Sequence, residues 1–406
     1  MKKIRSNHTF LFLYLLFIIY GSLFPFTDWT PPSQSLLEVW KQTAQEHVSR
    51  SDLLTNILAY IPFGFLFCSI CSGRLGTLGR ILVSTVVGSI LSFSMEYIQL
   101  YLPSRTSSPI DLLLNTLSTL LGALAFGLLG KGSNIGEWFG EWRQTHFIEG
   151  RVADIGLSVI ALWGASQLAP FLPSIDIGSL KDGLKPLWFM LHDLSRFNGY
   201  RIVIYVFNIS SLGFILLLIM KNRTRVPAWL SLYCGATFLG KITITGRQLS
   251  FEALAGLVSG VVLTFGLKKL PKSNLIIAGA CSVAIAFIAD ELRPDMSADM
   301  SVGVYHDFNW IPFNSEMTEN VPGIVTIIEG LWPFAALGFF AVARASAGRR
   351  IKIFPIGVFL SIVVCSLEYA KCFTVGRYPD ITTVMLAVVG WLMPWLIYRE
   401  HKSITD

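Results

Sequence analysis

Charge is scarce in this chain. Asp, Glu, Lys and Arg make up 14% of its 406 residues, hydrophobic residues make up 53%, and the mean hydropathy is +0.58. So few charges cannot cover the surface of a soluble protein of this length, and the composition fits a polytopic membrane protein instead. A basic stripe interleaved with aromatics is also missing, so the net charge of +6 points to loops beside a membrane and excludes a nucleic-acid partner. His8, His47, His146, His192, His306 and His401 show no paired metal-ligand spacing, so no metal is expected. No Gly-rich phosphate loop and no G-x-S-x-G elbow occurs, which argues against a nucleotide-driven enzyme, and no cofactor is expected. The six cysteines lie in or beside apolar segments; Cys68 and Cys71 form a C-x-x-C inside one of them, which reads as packing.

Long apolar runs are what the chain has in abundance. A spanning helix needs about 20 mainly apolar residues, fewer where the ends carry snorkelling groups. Twelve segments qualify, at residues 9–24, 53–72, 81–100, 112–130, 155–171, 202–220, 226–244, 249–267, 275–289, 322–342, 353–372 and 381–398. Strands are not needed. The first run has no small-x-small cleavage site before Pro25 and is expected to be an uncleaved anchor. With the N-terminus inside, 20 of the 32 lysines and arginines fall in cytoplasmic loops, which supports twelve spans with both termini cytoplasmic. Two external loops carry amphipathic stretches, 36–48 and 184–197, where Trp40, Trp188 and Phe189 suit either a headgroup layer or a solvated loop helix. The segment 131–151, with Trp138 and Trp142, reads as a cytoplasmic linker without a domain of its own.

Landmarks recur along the chain. A first span ends at Pro25, Pro170 and Pro294, and an arginine follows 80, 77 and 83 residues later at Arg105, Arg247 and Arg377. Glu96 and Glu368 both stand nine residues before their arginines, and K-x-x-x-x-G-R occurs at both Lys241 to Arg247 and Lys371 to Arg377. Apolar composition does not account for matched Glu-to-Arg spacing. The expected fold is all-α, with about twelve transmembrane helices in three four-helix units: 1–130, then after the linker a degenerate 152–270, then 271–406.

Asp52, Asn56, Pro62-Phe63-Gly64, Glu96, Gln99, Arg105, Ser108, Asp111, Asn115 and Gly122 together resemble the core pattern of the VanZ-like family. The lead-in from Tyr20 to Phe26 is similar to that family as well. The third unit, with Asn309-Trp310-Ile311-Pro312-Phe313, Glu368, Arg377 and Asp380, resembles it but has Lys371 where glutamine would stand; the middle unit has Phe238 where glutamate would stand. The resemblance implies a bacterial inner-membrane protein of the cell envelope and an association with teicoplanin resistance. It implies no defined reaction.

Glu96 and Gln99, three apart, can share a helix face, and Ser108, Pro109 and Asp111 have the form of a capped helix start. An ionisable group at membrane depth needs a partner, so Arg105 is expected to join Glu96 and Asp111 in one polar cluster. Two readings follow. In one, Arg105 clamps the two carboxylates; in the other, Asn56, Gln99, Arg105, Ser108 and Asn115 bind a ligand while Glu96 or Asp111 acts as acid or base. Glu368, Arg377, Asp380 and Arg247 are the secondary candidates. The leading expectation is an external-face polar site for an amphiphilic or anionic ligand, with a membrane lipid or lipid-linked glycan as the partner class. A transporter or lipid flippase, and an enzyme acting on a polyprenyl-phosphate-type lipid, are the alternatives.

Overall fold

The computed structural model describes residues 4–44, 50–71, 73–130, 133–174, 176–193, 197–293, 307–318, 321–374 and 377–405. Pro294, His47, His306 and the side chain of Asp52, on which sequence expectations rest, lie outside the described residues. Among the described residues the structure is helical, with isolated bridges only. In chain order the helices are α1 (Ile4–Leu23), α2 (Leu36–Thr43), α3 (Arg50–Ile70), α4 (Gly76–Gln99), α5 (Pro109–Leu129), α6 (Asn134–His146), α7 (Arg151–Leu168) and α8 (Ile177–His192). They continue with α9 (Gly199–Ile219), α10 (Val226–Ile242), α11 (Phe251–Leu267), α12 (Lys272–Glu291), α13 (Asn314–Thr318), α14 (Val321–Ser346), α15 (Ile353–Lys371) and α16 (Ile381–Thr405).

Every apolar segment expected from the sequence coincides with one of these helices. Seven, namely α4, α5, α9, α12, α14, α15 and α16, contain stretches long and apolar enough to cross a membrane. Stretches of α1, α3 and α11 are apolar but shorter. Two expected spans meet neither description: α7 opens on Arg151 and Asp154, and α10 ends near Lys241. The linker, expected to have no domain of its own, contains one helix, α6.

The radial distribution of side chains is that of helices dissolved in lipid. α4 buries Ser84, Gly88, Ser92 and Glu96 while Leu82, Val86, Ile90 and Phe93 are exposed. α11 repeats the arrangement, burying Glu252, Gly256, Gly260 and Thr264 and exposing Val258, Val262 and Phe265. A soluble helix does the reverse, because water penalises exposed apolar area; hydrocarbon removes that penalty and leaves close packing of small residues as the cohesive force.

The chain forms two compact units, residues 1–143 with 314–323, and residues 144–313 with 324–406. In the first, α3 and α5 approach so closely that a Cβ on Gly122 would lie 1.9 Å from the Ile61 carbonyl oxygen, and one on Gly64 would lie 2.1 Å from that of Thr119. Ile18, Tyr60 and Phe63 pack beside this contact. In the second unit α9 is buried all round from residue 209 to 219, which explains an uninterrupted apolar run, and it packs against α7, α10, α11 and α12. Phe334, Val364 and Ala387 join α14, α15 and α16.

Candidate functional site

The start of α5 has the form read from sequence. Ser108 is the N-cap and accepts from the Ile110 N–H at 3.2 Å, Pro109 opens the helix, and Asp111 lies in the first turn. Three side chains lock this turn to its neighbours. Glu96, 3% exposed on α4, accepts the Ser108 N–H at 2.8 Å; Asn56 on α3 donates to Asp111 at 2.8 Å; buried Asn115 donates to Ser92 at 3.0 Å. Asn56, Glu96, Ser108, Asp111 and Asn115 are thus brought together on the facing surfaces of α3, α4 and α5. Among the described residues, the buried Asn115 Oδ1 accepts no hydrogen bond.

Arg105 does not join them. Its Nε donates to the Phe24 carbonyl at 2.7 Å and its Nη2 to the Gly21 carbonyl at 3.1 Å, closing the C-terminal end of α1. Those carbonyls have no partner further along the helix, and a planar guanidinium can satisfy two of them at once. The expected clamp on Glu96 and Asp111 is therefore corrected: Arg105 is a clamp, but on backbone. Burial pulls its guanidinium below the ordinary value. Gln99 also turns to α1, donating to the Ser22 carbonyl at 2.9 Å.

The second unit contains the same geometry at the secondary candidates. Arg247 Nε donates to the Ala169 carbonyl, and its Nη2 to that of Ser166 at 3.1 Å and to Glu329 at 2.7 Å. Arg377 Nη2 donates to the Asp290 carbonyl at 3.3 Å. Gly21, Ser166 and Asp290 each stand four residues before Pro25, Pro170 and Pro294. The residue after each of these is also contacted from the same place. Gln99 meets Ser22, Lys241 meets Gln167 Oε1 at 2.9 Å, and Lys371 pairs with Glu291. Glu368 repeats the role of Glu96, accepting the Asp380 N–H at 3.1 Å, and Asp380 Oδ1 accepts the Thr382 N–H at 2.7 Å, as a cap does. Ser250 caps α11 in the same position, while Phe238 leaves the glutamate's place apolar.

A cavity lies within the second unit, and no residue of the Asn56 to Asn115 cluster lines it. It measures about 340 Å³, and Arg201, Lys241, Arg247, Asp290, Arg293 and Glu329 supply its charged lining. Arg247 pairs with Glu329 and Arg293 with Asp290 at 3.3 Å. Lys241 is 5% exposed; its ammonium meets Gln167, the Tyr205 hydroxyl at 3.2 Å and the faces of Tyr205 and Phe238, all neutral. Sequence reasoning named Lys241 only as part of a motif and missed Arg201, Gln167 and Glu291. Counting back three residues from each landmark proline would have found Gln167 and Glu291; nothing in the local sequence marks Arg201.

No curated protein and no solved structure matches the chain. The family described as VanZ/LLP1 has a model that matches residues 9–130, the stretch that contains α1, α3, α4, α5 and the Glu96 and Arg105 contacts. With its apolar, outward-facing helices, the chain is a multi-pass, membrane-type protein whose residues 9–130 are similar to the VanZ/LLP1 family.

Proposed function

We propose that this is a twelve-span protein of the bacterial inner membrane, built from three four-helix copies with both termini cytoplasmic, that holds an anionic amphiphile at the external ends of its helices. A membrane lipid or lipid-linked glycan is the ligand class, and altered glycopeptide susceptibility is the phenotype that the VanZ-like unit suggests. The repeated arginine contact with the carbonyl four residues before each landmark proline supports the three copies. The observation that carries the function is the cavity beside the Arg247 copy of that contact, with four cationic side chains against two carboxylates. In the first copy Arg105 and Glu96 are both engaged with backbone groups, which favours an architectural role for Asn56, Glu96, Gln99, Arg105, Ser108, Asp111 and Asn115 over acid–base chemistry.

A lipid transporter is the second reading, favoured by one observation: the cavity is walled by α7, α8, α9, α10, α12 and α14, helices that fall in two of the proposed copies. The test is binding of phosphatidylglycerol and phosphatidylcholine to the purified chain in dodecyl maltoside. Preference for the anionic lipid supports the proposal; equal or absent binding of the two overturns it. Single cysteines placed beside Arg105, Arg247 and Arg377 in a cysteine-free background should react with an impermeant reagent from outside, and labelling only from the cytoplasm would sink the orientation. Exchange of labelled lipid between leaflets by reconstituted protein separates transport from holding.

A further inference from the structure

We infer that Lys241 is the anion-recognising group of the second unit's cavity and that its ligand is a phosphate ester, whose negative charge completes an ion pair the protein leaves open. The inference rests on the amphiphile-binding reading and names the group and the chemistry within it.

Lys371 and Lys241 stand at the same place in K-x-x-x-x-G-R, six residues before their arginines. Lys371 is buried between two carboxylates, Glu291 and Glu368, the latter at 2.6 Å. At Lys241 both carboxylates are replaced by neutral residues: Gln167 stands where Glu291 does, three residues before the landmark proline, and Phe238 stands where Glu368 does, three residues before the lysine. Lys241 is nonetheless as buried as Lys371, at 5% and 8% exposure. An ammonium held at that depth without a counter-charge is costly, and such a group persists where a ligand supplies the charge.

The surroundings fit an anion that enters from the cavity. Of its four cations, Arg247 and Arg293 are neutralised by Glu329 and Asp290, and among the described residues Lys241 and Arg201 form no ion pair with a carboxylate. The neighbouring cavity shares Arg201 and contains Glu252, whose carboxylate accepts the Asn198 N–H at 3.2 Å. Two open cations suit a phosphate, which carries one to two charges and several acceptor oxygens, better than a single carboxylate. A volume of about 340 Å³ exceeds the needs of the phosphate alone and leaves space for the alcohol it esterifies. Lipid headgroup phosphate and free phosphate share this chemistry.

The experiment measures binding of phosphatidylglycerol and, separately, of inorganic phosphate to the full chain in dodecyl maltoside, for wild type, Lys241→Gln and Gln167→Glu. Gln167→Glu restores the internal partner that Lys371 has, so it should weaken phosphatidylglycerol binding at least tenfold while the melting temperature holds or rises. Lys241→Gln should weaken binding to the same extent. Competition by millimolar inorganic phosphate identifies the phosphate alone as the recognised group; binding of the lipid without such competition shows that its headgroup alcohol is also required, and either result agrees with the assignment. Full-strength lipid binding by Gln167→Glu overturns it and leaves amphiphile binding standing. Absence of anionic-lipid binding by wild type overturns both.

Discussion

Replacing Arg105 by alanine separates the two roles open to that residue. Its guanidinium makes two charge-assisted hydrogen bonds to carbonyls, at 2.7 and 3.1 Å, and among the described residues none to a carboxylate. Bonds to a charged group contribute about 1.5–3 kcal/mol each when buried; Arg105 is only partly buried, water replaces part of the loss, and the expected cost of Arg105→Ala is about 2–4 kcal/mol. Lysine keeps the charge but not the planar fork, so Arg105→Lys should recover less than half of this. Glu96→Gln keeps an acceptor for the Ser108 N–H and should cost less than Arg105→Ala. Because the two residues have separate partners, the double variant Arg105→Ala/Glu96→Gln should be additive to within about 0.5 kcal/mol. Thermal unfolding in detergent, followed by tryptophan fluorescence, gives the four corners of the cycle. If Glu96→Gln instead rescues Arg105→Ala by more than about 1 kcal/mol, the two side chains form a pair and the backbone brace is wrong.

Three further outcomes are expected. Gly122→Ala should lower the melting temperature and loosen α3 against α5, because its Cβ would meet the Ile61 carbonyl oxygen at 1.9 Å, an overpacking cost of about 1–3 kcal/mol or more; unchanged stability would contradict that contact. Lys371→Met should cost about 3–5 kcal/mol by leaving Glu291 and Glu368 buried together, and adding Glu291→Gln and Glu368→Gln should restore most of it, a recovery that unfolding measurements would detect. The Ser174 hydroxyl, then the Ser179 hydroxyl and N–H, hold the Asp176 carboxyl well below the usual carboxylate range. A depressed value contributes stability above the unfolded pKa that is lost as pH falls through the folded one. Hydrogen exchange at the start of α8, corrected for intrinsic rate, should therefore stay protected through mildly acid pH in wild type and lose protection at neutral pH in Asp176→Ala.

Much of the fold was legible because solvent acts on composition and periodicity, both of which are local. Each long apolar run became a helix, and the Ser108, Pro109 and Asp111 start of α5 formed as read, since capping involves residues within one turn. Two expected spans, in α7 and α10, are not among the seven helices long and apolar enough to cross a membrane. The site was less legible. Glu96 and Arg105 are close in sequence and opposite in charge, yet one holds an N–H of α5 and the other the carbonyls of α1. Backbone acceptors have no residue letter, so no side-chain pattern could nominate Phe24 and Gly21 as the partners.

The sequence by itself determined the solvent, the helices, the start of α5 and the VanZ-like stretch, because each depends on apolar length or on neighbours within a turn. Only the tertiary structure decided which charges are satisfied. Lys241 and Lys371 share a motif, but one meets an amide and an aromatic ring where the other meets two carboxylates, and those groups come from helices up to 80 residues away along the chain. Helix packing brings such groups together over distances that local sequence does not encode.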